Sequence, residues 1–157
     1  TDATFTLNFS TGASMVLAQY YNFVRYGRDG YGYIIGGMRD NARTLAEGLK
    51  ATGDFELIGE GEDQLPLVSF RLTGDKNFDE FDLAWQLSAE RGWMVPAYTM
   101  PPDAEEVKLM RALVKQTLSR EQIHRLIDDI QTACATLTAK GGAHPSERRR
   151  AKTGTGY

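Results

Sequence analysis

The chain has 157 residues, 41% of them hydrophobic and 25% charged, enough for one compact domain with a core of its own. A net charge of −3 gives no basic surface for nucleic acid, no apolar run reaches the length of a membrane span, and no charged-then-apolar signal segment opens the chain. A single cysteine, Cys134, excludes an internal disulfide and fits a reducing, cytoplasmic compartment.

The opening TDATFTLNFS begins in mid-strand, with Phe5, Leu7 and Phe9 alternating against Thr6, Asn8 and Ser10. A start of that kind suggests a piece of a longer protein or a chain without its front. Residues 12–26 carry apolar side chains almost all round a helical wheel, leaving a narrow polar stripe of Ser14, Gln19, Asn22 and Arg25. Such a helix is buried on most sides. It is either a central core helix of this domain or is covered by sequence or a subunit beyond this chain. GRDGYGY then predicts a glycine-rich break. Met38, Ala42, Leu45 and Leu49 resume an amphipathic helix, whose start Gly36 and Gly37 blur and which Gly53 ends in a left-handed cap.

From there the pattern changes. FELI (55–58) and LPLVSFRL (65–72) read as short strands around a glycine- and acid-rich turn. Asn77 as N-cap, with Glu80 three residues on, predicts a helix running to Arg91. WMVPAYTMPP is extended, with Pro96 suited to an edge strand or a covering loop. VKLMRALVK (107–115) is a strand. Ser119 and Gln122 form a capping box, Leu118 and Ile123 its hydrophobic staple, and Ile123, Ile127, Ile130, Cys134 and Leu137 line one face of the last helix before Gly141 and Gly142. The reading is an α+β fold, an antiparallel sheet of three or four strands with helices on one face. Residues 1–53 form a preceding strand and long helices, residues 54–140 the small α+β domain, and residues 141–157 a polar tail expected to be disordered.

Few residues carry chemistry. His124 and His144 have no carboxylate or cysteine at ligand spacing, so no metal site is expected. Cys134 sits on an apolar stripe as a small core residue. Arg148, Arg149 and Arg150 lie in a solvated tail. Ser10 and Thr11 precede a helix start, where a hydroxyl and free N–H groups suit a phosphate; a plain helix cap is the simpler reading.

Arg111 raises the sharpest question. It shares a strand face with Val107, Leu109 and Leu113. It either lays its stem along the sheet with its head in water, as Arg71 can on another strand, or aims a guanidinium fork at a carboxylate. Sequence physics leaves both open.

TLNFS, AQYYNFVRYGRDGY, GW-MVPAYTMPP and LMRALVK, in that order, closely resemble the C-terminal part of the glutamate decarboxylases, which belong to the pyridoxal-phosphate decarboxylases of the aspartate-aminotransferase-like fold. The likeness runs from residue 4 to residue 138, and VPAYTMPP is especially similar to the plant-type enzymes. It implies the C-terminal small domain of that fold, an enzyme converting L-glutamate to 4-aminobutyrate and CO2, pyridoxal 5'-phosphate as cofactor, and a homo-oligomer, dimer or hexamer, with active sites at the dimer interface. It also implies that Phe9 and Ser10 help hold the cofactor phosphate of the neighbouring subunit and that Arg111 binds the substrate α-carboxylate.

Two departures stand out. Thr11 replaces the basic residue that usually follows NFS. The Schiff-base lysine, set by the family in Ser-x-His-Lys, is missing: none of Lys50, Lys76, Lys108, Lys115, Lys140 or Lys152 follows a histidine. The resemblance therefore implies no catalytic residue in this chain and an inactive chain when alone. The alternatives are a stand-alone module that binds a small carboxylate or regulates, and a decarboxylase for another amino acid.

Overall fold

The computed structural model describes residues 12–59 and 65–141. The expected strand before residue 11, with Phe9 and Ser10, and the polar tail lie outside the described residues. Two compact units, residues 1–34 and 35–157, divide the chain.

The first helix, α1 (Ser14–Thr52), runs through the expected glycine-rich break. Only Gly27 leaves helical geometry, at φ 54° and ψ −165°, a conformation reserved for glycine. The other glycines of the segment tolerate a helix, so the break contracts to one residue. In a straight helix Phe23 and Tyr31 would stand about 12 Å apart along the axis. The bend at Gly27 brings their ring centroids to 6.0 Å, with Tyr26 also 5.7 Å from Tyr31. Within this unit Met15 is 78% and Phe23 57% exposed, so residues 12–26 are not a core helix of the described chain.

The second unit carries the sheet. β1 (Phe55–Ile58), β2 (Leu67–Leu72), β3 (Ala97–Thr99) and β4 (Lys108–Leu113) pair antiparallel in the order β1-β2-β4-β3. Pro96 immediately precedes the edge strand β3, where a residue without an N–H costs no ladder bond. Between the strands lie α2 (Glu80–Gln86), a π-helical turn over Leu87–Arg91, and after them α3 (Arg120–Lys140). Gly53, Gly92 and Gly141 adopt the left-handed conformation at helix ends.

All three helices cover one face of the sheet, as the sequence predicts. Ala42, Leu45 and Leu49 of α1, Leu83 of α2 and Ile123, Ile127, Ile130, Cys134 and Leu137 of α3 form one core with Val68, Phe70, Met110 and Ala112. Phe55 meets Phe70 edge-on at 5.3 Å. The capping box at α3 is present: Ser119 Oγ accepts from Gln122 N–H and Gln122 Oε1 accepts from Ser119 N–H. Leu118 and Ile123 both join the core.

At α2 the sequence expectation is corrected. The N-cap is Asp79, not Asn77. Asp79 Oδ1 accepts from Phe81 and Asp82 N–H at 3.0 Å, and Asp82 closes the box at 3.1 Å. Asn77 instead donates to the Thr138 carbonyl at 3.0 Å, tying the loop to the end of α3. Both residues are competent caps. Asp79 also accepts an ion pair from Lys108 of β4 at 2.8 Å, which asparagine could not reciprocate with a full charge.

Candidate functional site

Strand parity alone left open which face of β4 looks into the core. The helices cover Met110 and Ala112, so Arg111 and Leu113 project from the opposite face. Leu113 is 54% exposed and Arg111 is exposed. Leu109, on the same face, is buried. The expectation that Arg111 shares its face with aliphatic neighbours holds, but that face is the open one, and its guanidinium carries no large desolvation cost in this chain.

Register supplies the surroundings. Arg111 pairs with Ser69 of β2, Leu113 with Leu67, and Tyr98 of β3 with Leu109. The Arg111 N–H donates to the Pro96 carbonyl at 3.2 Å. Its guanidinium carbon stands 5.2 Å from the Tyr98 ring centroid. Among the described residues no carboxylate forms an ion pair with Arg111.

Arg71 is a different case. It lies opposite Glu56 across β1 and β2, and its Nε and Nη2 reach Glu56 Oε2 at 2.8 and 2.6 Å. Its head is occupied by a neighbour rather than left to water. The lysines Lys76, Lys108 and Lys140 are likewise tied, to Asp54, Asp79 and Glu90. His124 is exposed, and no group of three or more metal-ligating side chains occurs among the described residues. Cys134 is buried as expected; burial, then the Asp54 carboxylate, pushes its thiol up to about 12, with Lys76 offsetting part of the rise. That thiol stays protonated and has no nucleophile's character.

A groove of about 520 Å3 runs beside β1 and β2, lined by Ala42, Ala46, Leu57, Leu67 and Ser69 among others. Arg111 is not among its lining residues. Sequence reasoning missed Tyr98. It stood inside the quoted VPAYTMPP stretch, but its place beside Arg111 depends on the β3–β4 register, which no local pattern encodes.

Comparison with known proteins adds to this geometry. The pyridoxal-dependent decarboxylase conserved domain matches residues 2–73. The chain is 43% identical over 128 residues to a glutamate decarboxylase of Petunia hybrida, covering 82% of this chain and 25% of the relative. It is 38% identical over 136 residues to that of Lactococcus lactis, covering 85% and 29%. The structure of Lactobacillus brevis glutamate decarboxylase superposes with a TM-score of 0.76 at 36% identity, covering 90% of this chain and 31% of that one. Most of the chain is homologous to glutamate decarboxylases. The three helices and four-stranded antiparallel sheet of the described residues match the C-terminal region of glutamate decarboxylase structures. The chain spans about a quarter of the length of the curated glutamate decarboxylases it matches. Among the described residues no helix is long and apolar enough to cross a membrane.

Proposed function

We propose that this chain works as part of an L-glutamate decarboxylase, forming 4-aminobutyrate and CO2, and that Arg111 receives the substrate α-carboxylate. The observation that carries this is the exposed Arg111 on the open sheet face, with no carboxylate ion pair among the described residues, inside a chain 43% identical to a glutamate decarboxylase. A planar fork on a rigid strand holds a carboxylate in one orientation, and that is a positioning role, worth rate through geometry.

Pyridoxal 5'-phosphate, when bound, supplies the electron sink for the carbanion. Among the described residues Lys76, Lys108 and Lys140 are tied to carboxylates, and no lysine of the sequence follows a histidine. Phe9 and Ser10, outside the described residues, are the proposed phosphate contacts. Ser10→Ala should weaken cofactor binding by about 0.5–1.5 kcal/mol. The 157-residue chain alone should release no CO2 from glutamate above the free-cofactor background. In the same reading residues 1–53 end a large domain, residues 54–140 are its C-terminal small domain, and the assembled enzyme is a cytoplasmic homo-oligomer, dimer or hexamer.

The test is Arg111→Met and Arg111→Lys in the full-length protein, with kcat/KM and Tm for each. Met keeps most of the stem and removes the charge; Lys keeps the charge and loses the fork. Both should fold, and Met should lose about 2–5 kcal/mol of transition-state stabilisation. Near-normal turnover in Arg111→Met, or a loss explained wholly by unfolding, rejects the role.

A further inference from the structure

We infer that Tyr98 is a positioning residue for Arg111, holding the guanidinium against its ring so that the N–H donors stay available to a substrate carboxylate. The inference rests on the Arg111 reading above. An exposed arginine on a sheet surface ordinarily samples many rotamers, and only some of them present the fork where a ligand lies. Here one side chain of the neighbouring edge strand restrains it, above a backbone fixed by the sheet. The Arg111 N–H is bonded to the Pro96 carbonyl at 3.2 Å, and two residues further along, the Tyr98 ring lies 5.2 Å from the guanidinium carbon. Tyr98 pairs with Leu109, so it is the diagonal neighbour of Arg111, a spacing that an aromatic side chain spans.

The kind of contact matters. A ring held against the guanidinium by the cation–π attraction brings no carboxylate or carbonyl oxygen to its N–H donors. Arg71 is the internal contrast: Glu56 consumes its Nε and Nη2, so its edge is already taken. Tyr98 restrains Arg111 without competing for the carboxylate. The ring, rather than the hydroxyl, is the working part. Apparent affinity falls in proportion to the population of the competent rotamer, so loss of the ring should raise KM more than it lowers kcat.

The experiment compares Tyr98→Phe, Tyr98→Leu, Tyr98→Val, Arg111→Met and the double variant Tyr98→Leu/Arg111→Met in the full-length protein, with kcat, KM for L-glutamate and Tm. Val keeps a strand former at the edge should Leu unsettle β3. Tyr98→Phe should behave as wild type, and Leu and Val should raise KM roughly 2- to 30-fold, the span of a cation–π contact from exposed to desolvated. The double variant should be no worse than Arg111→Met alone, because the ring acts through the arginine. An unchanged KM in Leu and Val, or a Phe variant as impaired as Leu, overturns the inference. If Arg111→Met impairs turnover while the Tyr98 variants do not, only the role of Tyr98 fails. If Arg111→Met is silent, the Arg111 reading fails and takes this one with it.

Discussion

Gly48 of α1 and Ile127 of α3 meet so closely that a Cβ on Gly48 would overlap the Ile127 Cδ1 methyl, with Cγ1 only 3.1 Å away. The glycine sits near the C-terminal end of α1 at ordinary helical geometry, where alanine would be the better helix former by up to about 1 kcal/mol. Overpacking a buried contact costs about 1–3 kcal/mol, so the clash outweighs the propensity gain. Gly48→Ala should therefore lower stability. In an Ile127→Val background, which removes the Cδ1 methyl, the same change should become neutral or stabilising. Urea unfolding of the four proteins in the cycle measures this, and additive effects of the two substitutions would contradict it.

Asp79 caps α2 and pairs with Lys108. Asp79→Ala should cost about 0.5–2 kcal/mol through the lost cap. Asp79→Asn keeps a capping oxygen and loses only a part-exposed ion pair, so it should cost about 0–1 kcal/mol. Asn77→Ala removes one exposed bond to the Thr138 carbonyl and should be the milder of the two alanine variants. Chemical denaturation ranks them. Asn77→Ala proving costlier than Asp79→Ala would return the cap to the residue that the sequence suggested.

The raised Cys134 thiol makes stability depend on pH. Its ordinary value is 9.0 and burial takes it to about 12 in the folded chain. Between those values the unfolded chain holds fewer protons than the folded one, so the thiol's contribution is complete below pH 9 and is lost as pH rises toward 12. The stability difference between wild type and Cys134→Ala should shrink over that range. A difference that stays constant from pH 8 to 11 in urea titrations would argue that the folded thiol titrates normally.

Met15, Leu17, Tyr20, Phe23 and Val24 are each more than half exposed on the first turns of α1. Apolar surface of that extent ordinarily marks an interface. The 157-residue chain should sediment as dimers or larger species at micromolar concentration, and Leu17→Glu with Phe23→Glu should shift it toward monomer. A monodisperse wild-type monomer that keeps this helix exposed would count against the expectation.

Much of the chain was legible from local pattern. The Ser119–Gln122 box, the apolar stripe of α3 and the glycine stops at Gly53 and Gly141 are each written within one or two helical turns, because their hydrogen bonds and periodicity join residues close in sequence. The strands from Phe55, Leu67 and Lys108 were legible for the same reason, as was the helix-on-sheet class that the mixture of periods two and 3.6 demands.

Tertiary structure decided what parity and composition leave ambiguous. Period two says that Arg111 and Leu113 share a face, but not whether that face meets the helices or stays open; the packing of α1, α2 and α3 on Met110 and Ala112 chose. Asn77 and Asp79 are both eligible caps in sequence, and the capping-box geometry, with Lys108 arriving from β4, selects Asp79. The seven-residue break contracts to Gly27 alone, and the bend there brings Phe23 and Tyr26 against Tyr31, a meeting of rings that the local sequence does not announce. The ring of Tyr98 reaches Arg111 only because β3 and β4 pair in one register, set by partners 9 to 13 residues apart along the chain, such as Ala97 with Met110. Pairing across that separation is settled by the global packing of the sheet, and no local run of residues contains it.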